Sequence, residues 1–163
     1  MPIRIAVLDF EASGLDDASY PIEVAWGLFS TYEIESHLIM PAPDWEYWDP
    51  IAQDIHGLSR SELFRSGKGG PWICRRMIQA LAGYQVFSDA AEQDQFWLDV
   101  LFEAAGFQGK APVLQHFQSL AGRKGPQAAF EAEEIAARTH PRTHRAAADV
   151  AHLLRVLSLV ESA

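Results

Sequence analysis

Asp9 and Glu11 stand two residues apart where the apolar run Ile5-Ala6-Val7-Leu8 gives way to Ala12-Ser13-Gly14. On a strand, residues two apart project from one face, which sets these carboxylates close together. Like charges at such separation raise one pKa strongly or recruit a cation. No Lys or Arg lies between Arg4 and Arg60, so a divalent ion is the expected partner. A bare Asp-x-Glu also marks many solvated strand ends, and its weight here comes from two later stretches. In the first, Val86-Phe87-Ser88 reads as a strand leading into a helix with Trp97, Leu98, Leu101, Phe102 and Ala105 at helical spacing. Asp94 falls in that helix's first turn, where Ser88, Asp89, Glu92 and Asp94 would also serve as caps and dipole-complementing acids. In the second, a final helix begins at Arg145, with Ala148, Leu153, Val156 and Leu157 among its apolar positions. His144 and Asp149 would lie about 140° apart on a continuous helix. They converge only if His144 stands at the frayed N-terminal end, which Pro141 favours. Alone, His144 also fits a surface histidine and Asp149 a solvated helix acid.

Taken in order, Asp9, Glu11, Asp94, His144 and Asp149 make a pattern that resembles the DEDDh branch of the DEDD 3′-5′ exonuclease superfamily. That branch includes proofreading exonuclease domains, ribonuclease T and oligoribonuclease. Asp9-Phe10-Glu11-Ala12-Ser13-Gly14-Leu15 is similar to its first motif, and Pro21-Ile22-Glu23-Val24-Ala25 to the strand that follows. Ile55-His56-Gly57-Leu58-Ser59 is similar to a connecting His-Gly-Ile segment, and His144-Arg145-Ala146-x-x-Asp149 to the third motif. The middle motif departs from the pattern. The family's strand commonly leads into His-Asn with Phe-Asp beyond it, whereas this chain has Ser88-Asp89 and then Gln93-Asp94 with one extra residue. Asp94 is taken as the third carboxylate, and Asp89 is its competitor.

The elements that must position these groups read β-β-β-α-β-α. Strands are expected over Arg4 to Phe10, Ile22 to Ser30, Glu33 to Met40 and Gln85 to Ser88, with a short one within Pro112 to Phe117. Helices are expected over Pro71 to Ala82, Glu92 to Ala105, Phe130 to Arg138 and Arg145 to Ser162. Trp45 to Gly70 mixes aromatics, short helical pieces and turns, and Gly67-Lys68-Gly69-Gly70 reads as a flexible turn lacking P-loop spacing. This is an α/β layer architecture. The resemblance implies a ribonuclease H-like fold, with a central mixed β-sheet flanked by α-helices, as a single 3′-5′ exonuclease domain over residues 1–163.

Composition is compatible with that reading. At 163 residues the chain is about one domain in length. Its one cysteine, Cys74, excludes an internal disulfide, fits a reducing compartment and sits in an apolar helical pattern. No run is long enough to span a membrane, the N-terminus lacks a secretory h-region, and a cytoplasmic protein is expected. A formal net charge of −9 excludes an architectural nucleic-acid binder with a basic face. It leaves room for an enzyme that holds phosphate through metal ions. The bases that appear from Arg60 onward, including Arg138, Arg142 and Arg145 near the site, are read first as a solvated surface. Zinc is the rival metal, but Pro141 interrupts the His140–His144 spacing and one cysteine offers no sulfur cluster. Hard carboxylates favour Mg²⁺ or Mn²⁺.

Two ions about 3.5–4 Å apart, held by Asp9, Glu11, Asp94 and Asp149, would activate water and stabilise the leaving 3′-oxygen. His144 would be the general base. The resemblance implies that Asp9 bridges both ions. It also implies that Ser13, Gly14 and Leu15 lie against the terminal nucleotide, and that Leu58 or Phe10 packs on its base. The expected substrates are 3′ ends of single-stranded DNA or RNA, released as nucleoside 5′-monophosphates, and relatives such as ribonuclease T and oligoribonuclease suggest a homodimer. Three other readings stand beside this one: an oligoribonuclease-like enzyme on short RNAs, a metal-dependent phosphatase, and a catalytically silent ribonuclease H-like binding module. The complete carboxylate set argues against the silent module.

Overall fold

The structure, a computed structural model, describes residues 3–163; Met1 and Pro2 of the expected 1–163 domain lie outside the described residues. Five strands form one mixed sheet: β1 (Ile5–Ala12), β2 (Pro21–Leu28), β3 (Ile34–Leu38), β4 (Gln85–Ser88) and β5 (Leu114–His116), in spatial order β3-β2-β1-β4-β5. The first three are an antiparallel meander; β4 and β5 add to the other side of β1 in parallel. The parallel additions require crossovers, and the intervening helices supply them. These are α1 (Pro50–His56), α2 (Arg60–Ser66) and α3 (Gly70–Ala80) before β4, then α4 (Ala91–Ala104) before β5. After β5 come α5 (Gln118–Ala121), a 3-10 turn at Gly122–Lys124, α6 (Pro126–Thr139) and α7 (Ala146–Ser162).

Side-chain alternation divides the core in two. From β1, Ala6, Leu8, Phe10 and Ala12 join Ile22, Val24 and Trp26 of β2 against α3 and α4, through Ile73, Met77, Leu98 and Leu101. Ile5 and Val7 project to the opposite face and pack with Ala25 under Val150, Leu153, Leu154 and Leu157 of α7. Strand β1 is therefore apolar on both faces until Asp9, as a strand covered on both sides must be.

Local chemistry sets the element ends. Helix α1 begins with Asp49 accepting the Ile51 N–H at 2.9 Å and Pro50 in its first turn, and ends at Gly57 with φ 73°. Helix α2 opens with a capping box formed by Ser59 and Glu62. Helix α6 starts at Pro126, four residues before the expected Phe130, because proline's fixed φ suits a first helical turn. Gly67-Lys68-Gly69-Gly70 is not the loose turn expected. Lys68 bridges Ile39 in parallel, donating its N–H to Leu38 and accepting from Met40, and a Cβ on Gly67 would collide with the Leu63 carbonyl. Cys74 is buried in α3 as expected, and burial pushes its thiol up to about 12. Among the described residues, no helix is long and apolar enough to cross a membrane.

Helix α7 lies close to β2 because Gly27 has no side chain: a Cβ there would meet Leu154 Cδ1 and Val150 Cγ1, each at 2.7 Å. Gly27→Ala should cost about 1–3 kcal/mol by overpacking. Urea unfolding monitored by circular dichroism measures it, and an unchanged midpoint would show that α7 stands off the sheet.

Candidate active site

The alternation that buries Ile5 and Val7 beneath α7 carries Asp9 and Glu11 to the same face, at the end of the sheet where α7 begins. In the β1–β2 register, Asp9 lies opposite Ala25 and Glu11 opposite Glu23, with a bulge after Glu11. The two acids enter different clusters. Carboxylate oxygens of Asp9, Asp89 and Asp94 lie within 4.8 Å of one another, and ligand atoms of Glu11, His144 and Asp149 form a second group within the same distance. All five expected catalytic residues thus converge. Asp94 and its competitor Asp89 both reach the Asp9 cluster.

Asp94, at 1% exposure in the first turn of α4, accepts a hydrogen bond from the Ser88 hydroxyl. Ser88 in turn accepts from Ala90 N–H at 3.0 Å, so the end of β4 and the start of α4 are tied through one hydroxyl. Burial, supported by the charge of Asp89, pushes Asp94 up to about 7 against the opposing Ser88 bond. Burial also holds Asp9 well above the usual carboxylate range, with Asp94, Glu11, Asp149 and Asp89 adding in that order. Glu11 is pushed up to about 8 by burial, then by Asp149, Glu23 and Asp94, while Arg145 opposes the shift.

His144 stands just before α7, as the Pro141 argument requires, in the left-handed region at φ 54°. A non-glycine residue holds that conformation only where its surroundings over-determine it. Here they do. Asp149 accepts the Thr143 N–H at 3.1 Å, and Arg142 pairs with Asp89 at 2.8 Å. The His140 carbonyl accepts from His152 Nδ1 at 2.9 Å, which places a proton on that nitrogen, and His152 Nε2 meets Glu133 at 2.8 Å. On the far side, Glu23 accepts from Arg145 Nη2 at 2.7 Å and from the Ala146 N–H at 2.7 Å, capping α7. Sequence reasoning did not assign Glu23 a role. Its signal was a lone acid inside the apolar strand Pro21-Ile22-Glu23-Val24-Ala25-Trp26, a position that demands a cationic partner.

The residues expected at the terminal nucleotide separate sharply. Leu15 is 79% exposed, whereas Phe10 and Leu58, the side chains expected to pack on a base, are core residues at 4% and 1%. They project to the face packed by α3 and α4, where burial rather than a ligand satisfies them. Ser13 is buried with its hydroxyl accepting from Tyr20 N–H at 3.1 Å. Gly14 is required by close approach, since a Cβ would meet Tyr47 Cε1 at 2.6 Å. The bases are also less free than expected: Arg60 bonds Tyr20 and the Trp45 carbonyl, Arg76 forms a bidentate pair with Glu35, and Arg145 engages Glu23.

The donor set fits a hard divalent cation. All but one of the clustered groups are carboxylates, and the buried Asp9 Oδ2 has no hydrogen-bond partner among the described residues. Among the described residues His140 joins neither cluster.

The raised carboxyls make stability depend on pH. Folded Glu11 and Asp94, at about 8 and about 7, keep protons that an unfolded chain releases near 4.5 and 3.8. The folded state therefore binds more protons across that window, and its stability falls as pH rises from about 4 to about 8. A divalent ion that binds only the folded protein should restore it, more at alkaline than at acid pH. Thermal melts in EDTA at about pH 5.5 and about pH 8.5, with and without Mg²⁺, should show a lower melting temperature at the higher pH and a larger Mg²⁺ increment there. Melts independent of both variables would contradict the raised carboxyls.

No family model and no curated protein sequence matches the chain. Solved structures do. Exonuclease I of E. coli in complex with a dT13 oligonucleotide superposes with a TM-score of 0.73 at 16% identity, covering 99% of this chain and 41% of that one. The same enzyme with a dA16 oligonucleotide gives 0.74 at 17% identity, with the same coverage of both chains. A moderately thermophilic exonuclease I from Methylocaldum szegediense gives 0.72 at 16% identity, again covering 99% of this chain and 41% of the other. The chain spans about two fifths of the length of these structures. Its fold is the ribonuclease H-like α/β fold of exonuclease I, a DEDDh 3′-5′ exonuclease, in agreement with the resemblance carried by its motifs.

Proposed function

We propose that the chain is a metal-dependent 3′-5′ exonuclease that hydrolyses single-stranded nucleic acid from its 3′ end. The observation that carries this is the convergence of Asp9, Glu11, Asp94, Asp149 and His144 at one end of the sheet, beside a buried carboxylate oxygen that has no partner among the described residues. Such crowding of like charges is costly unless a cation completes it. Asp9, Glu11, Asp94 and Asp149 would hold Mg²⁺ or Mn²⁺, which supplies activated water and charge stabilisation at the leaving 3′-oxygen.

The remaining chemistry falls to the chain's own groups. His144 is exposed at the rim, within reach of Glu11 and Asp149, and one ring nitrogen takes the proton of the attacking water. The tethers on the backbone at residues 140, 143 and 146 fix the segment that carries His144 beside the acids, which limits the reorganisation needed at the moment of transfer. Gly14 lets the backbone after β1 lie flat against Tyr47, and Leu15 projects beside it as an apolar wall for the terminal nucleotide. The exonuclease I structures of the same fold hold dT13 and dA16, so single-stranded DNA is the first substrate proposed. The single cysteine, buried and unpaired with any other, suits a reducing compartment, and action in the cytoplasm is proposed.

A gel of 5′-labelled single-stranded DNA and RNA with Mg²⁺, Mn²⁺ or EDTA tests the reading. Stepwise shortening to mononucleotides with either metal, none in EDTA, and resistance of a circular single strand are expected. Nicking of the circle, or full activity in EDTA, would overturn it. Asp9→Asn and Glu11→Gln should abolish hydrolysis in the same assay. His144→Ala should lower turnover about 10²- to 10⁴-fold, the usual contribution of a general base, while metal binding stays near wild type; a variant as fast as wild type would remove His144 from the chemistry.

A further inference from the structure

We propose that Asp89 is itself a metal ligand, the third carboxylate of a site with Asp9 and Asp94, and that Arg142 is the positioning residue that aims it. This inference rests on the metal-dependent reading and adds two residues to it. Asp89 follows the last residue of β4, and its backbone carbonyl accepts from Gln118 Nε2 at 3.0 Å. Its Oδ2 accepts from Arg142 Nη2 at 2.8 Å, with both side chains partly covered. It is therefore anchored from two sides, and that anchorage turns a carboxylate oxygen toward Asp9 and Asp94, within 4.8 Å of each. A side chain whose only task was to hold Arg142 would gain nothing from that proximity and would suffer repulsion from both neighbours. The unpartnered Oδ2 of Asp9, on a side chain 8% exposed, marks where the group lacks a positive centre.

Charge and valence both permit the assignment. A carboxylate offers about four lone-pair sites on two oxygens, so an arginine contact leaves capacity for an ion. Asp89 and Arg142 together are neutral, which adds a ligand without changing the net charge of the Asp9–Asp94 pair that a divalent ion would balance. Arginine suits the task because its guanidinium stays charged and fixes carboxylate geometry directionally. Outer partners of this kind typically change metal affinity 10- to 100-fold when removed.

Mn²⁺ binding to the full chain, stripped of metal and free of nucleic acid, tests this by isothermal titration calorimetry. Asp89→Asn should weaken the tightest Mn²⁺ site at least about tenfold and Arg142→Gln about tenfold, while Asp99→Asn on the exposed face of α4 binds as wild type does. An Asp89→Asn affinity within about twofold of wild type would overturn the assignment, as would tighter binding by Arg142→Gln, which would make the arginine a competitor of the ion. Circular dichroism establishes that each variant is folded, and Asp89→Ser replaces Asp89→Asn should the latter not fold. A wild type that degrades single strands while Asp89→Asn binds Mn²⁺ normally defeats this proposal alone. A wild type that binds Mn²⁺ through Asp89 but leaves every strand intact defeats the exonuclease reading alone.

Discussion

Repulsion among buried carboxylates at one end of the sheet is the constraint on which the site depends. Asp9, Asp94 and Glu11 all resist ionisation, first because burial strips them of water and then because each faces the others. A fold gains nothing in stability from such an arrangement. It persists because the surrounding apolar strands and helices hold it: β1 is sandwiched between two cores and cannot withdraw its end from the cluster. Apolar burial of this extent outweighs local repulsion, since each buried large side chain contributes about 1.5–3 kcal/mol. The sheet thus keeps a ligand set in place before any ligand arrives.

The same logic explains the density of polar tethers around residues 140–146. His144 occupies a left-handed conformation that costs on the order of 1–3 kcal/mol. The bonds from Asp149, Glu23 and His152 to this segment offset that cost and remove alternatives. Glu23 does so from β2, across the strand from Glu11, so one buried acid caps α7 and shapes the field felt by its neighbour. Pre-organisation therefore extends well beyond the residues that would touch a substrate.

Much of this was legible in the sequence, for reasons that can be named. Asp9-x-Glu11 follows from the period of two on a strand, and the His144–Asp149 convergence from Pro141 ending helical continuity. Strand β4 was read with its observed ends, Gln85 and Ser88. What escaped was non-local. Glu23 meets Arg145 across 122 residues, and no spacing rule connects them. Phe10 and Leu58 sit in motifs suggestive of substrate contact, yet alternation and packing send both into the core. Spacing alone could not show that the loop after β4 and the first turn of α4 bring both Asp89 and Asp94 beside Asp9. Arg142 could be read only as a surface base until the fold set it on Asp89.

The central claim is that this carboxylate end is a cation site whose position the fold sets in advance. Anomalous diffraction from a crystal soaked in Mn²⁺ tests it most directly. The account predicts manganese peaks coordinated by Asp9 and Asp94 and beside Glu11 and Asp149, with the surrounding backbone unmoved. Crystals that diffract well after soaking and show no anomalous density among these acids would contradict it.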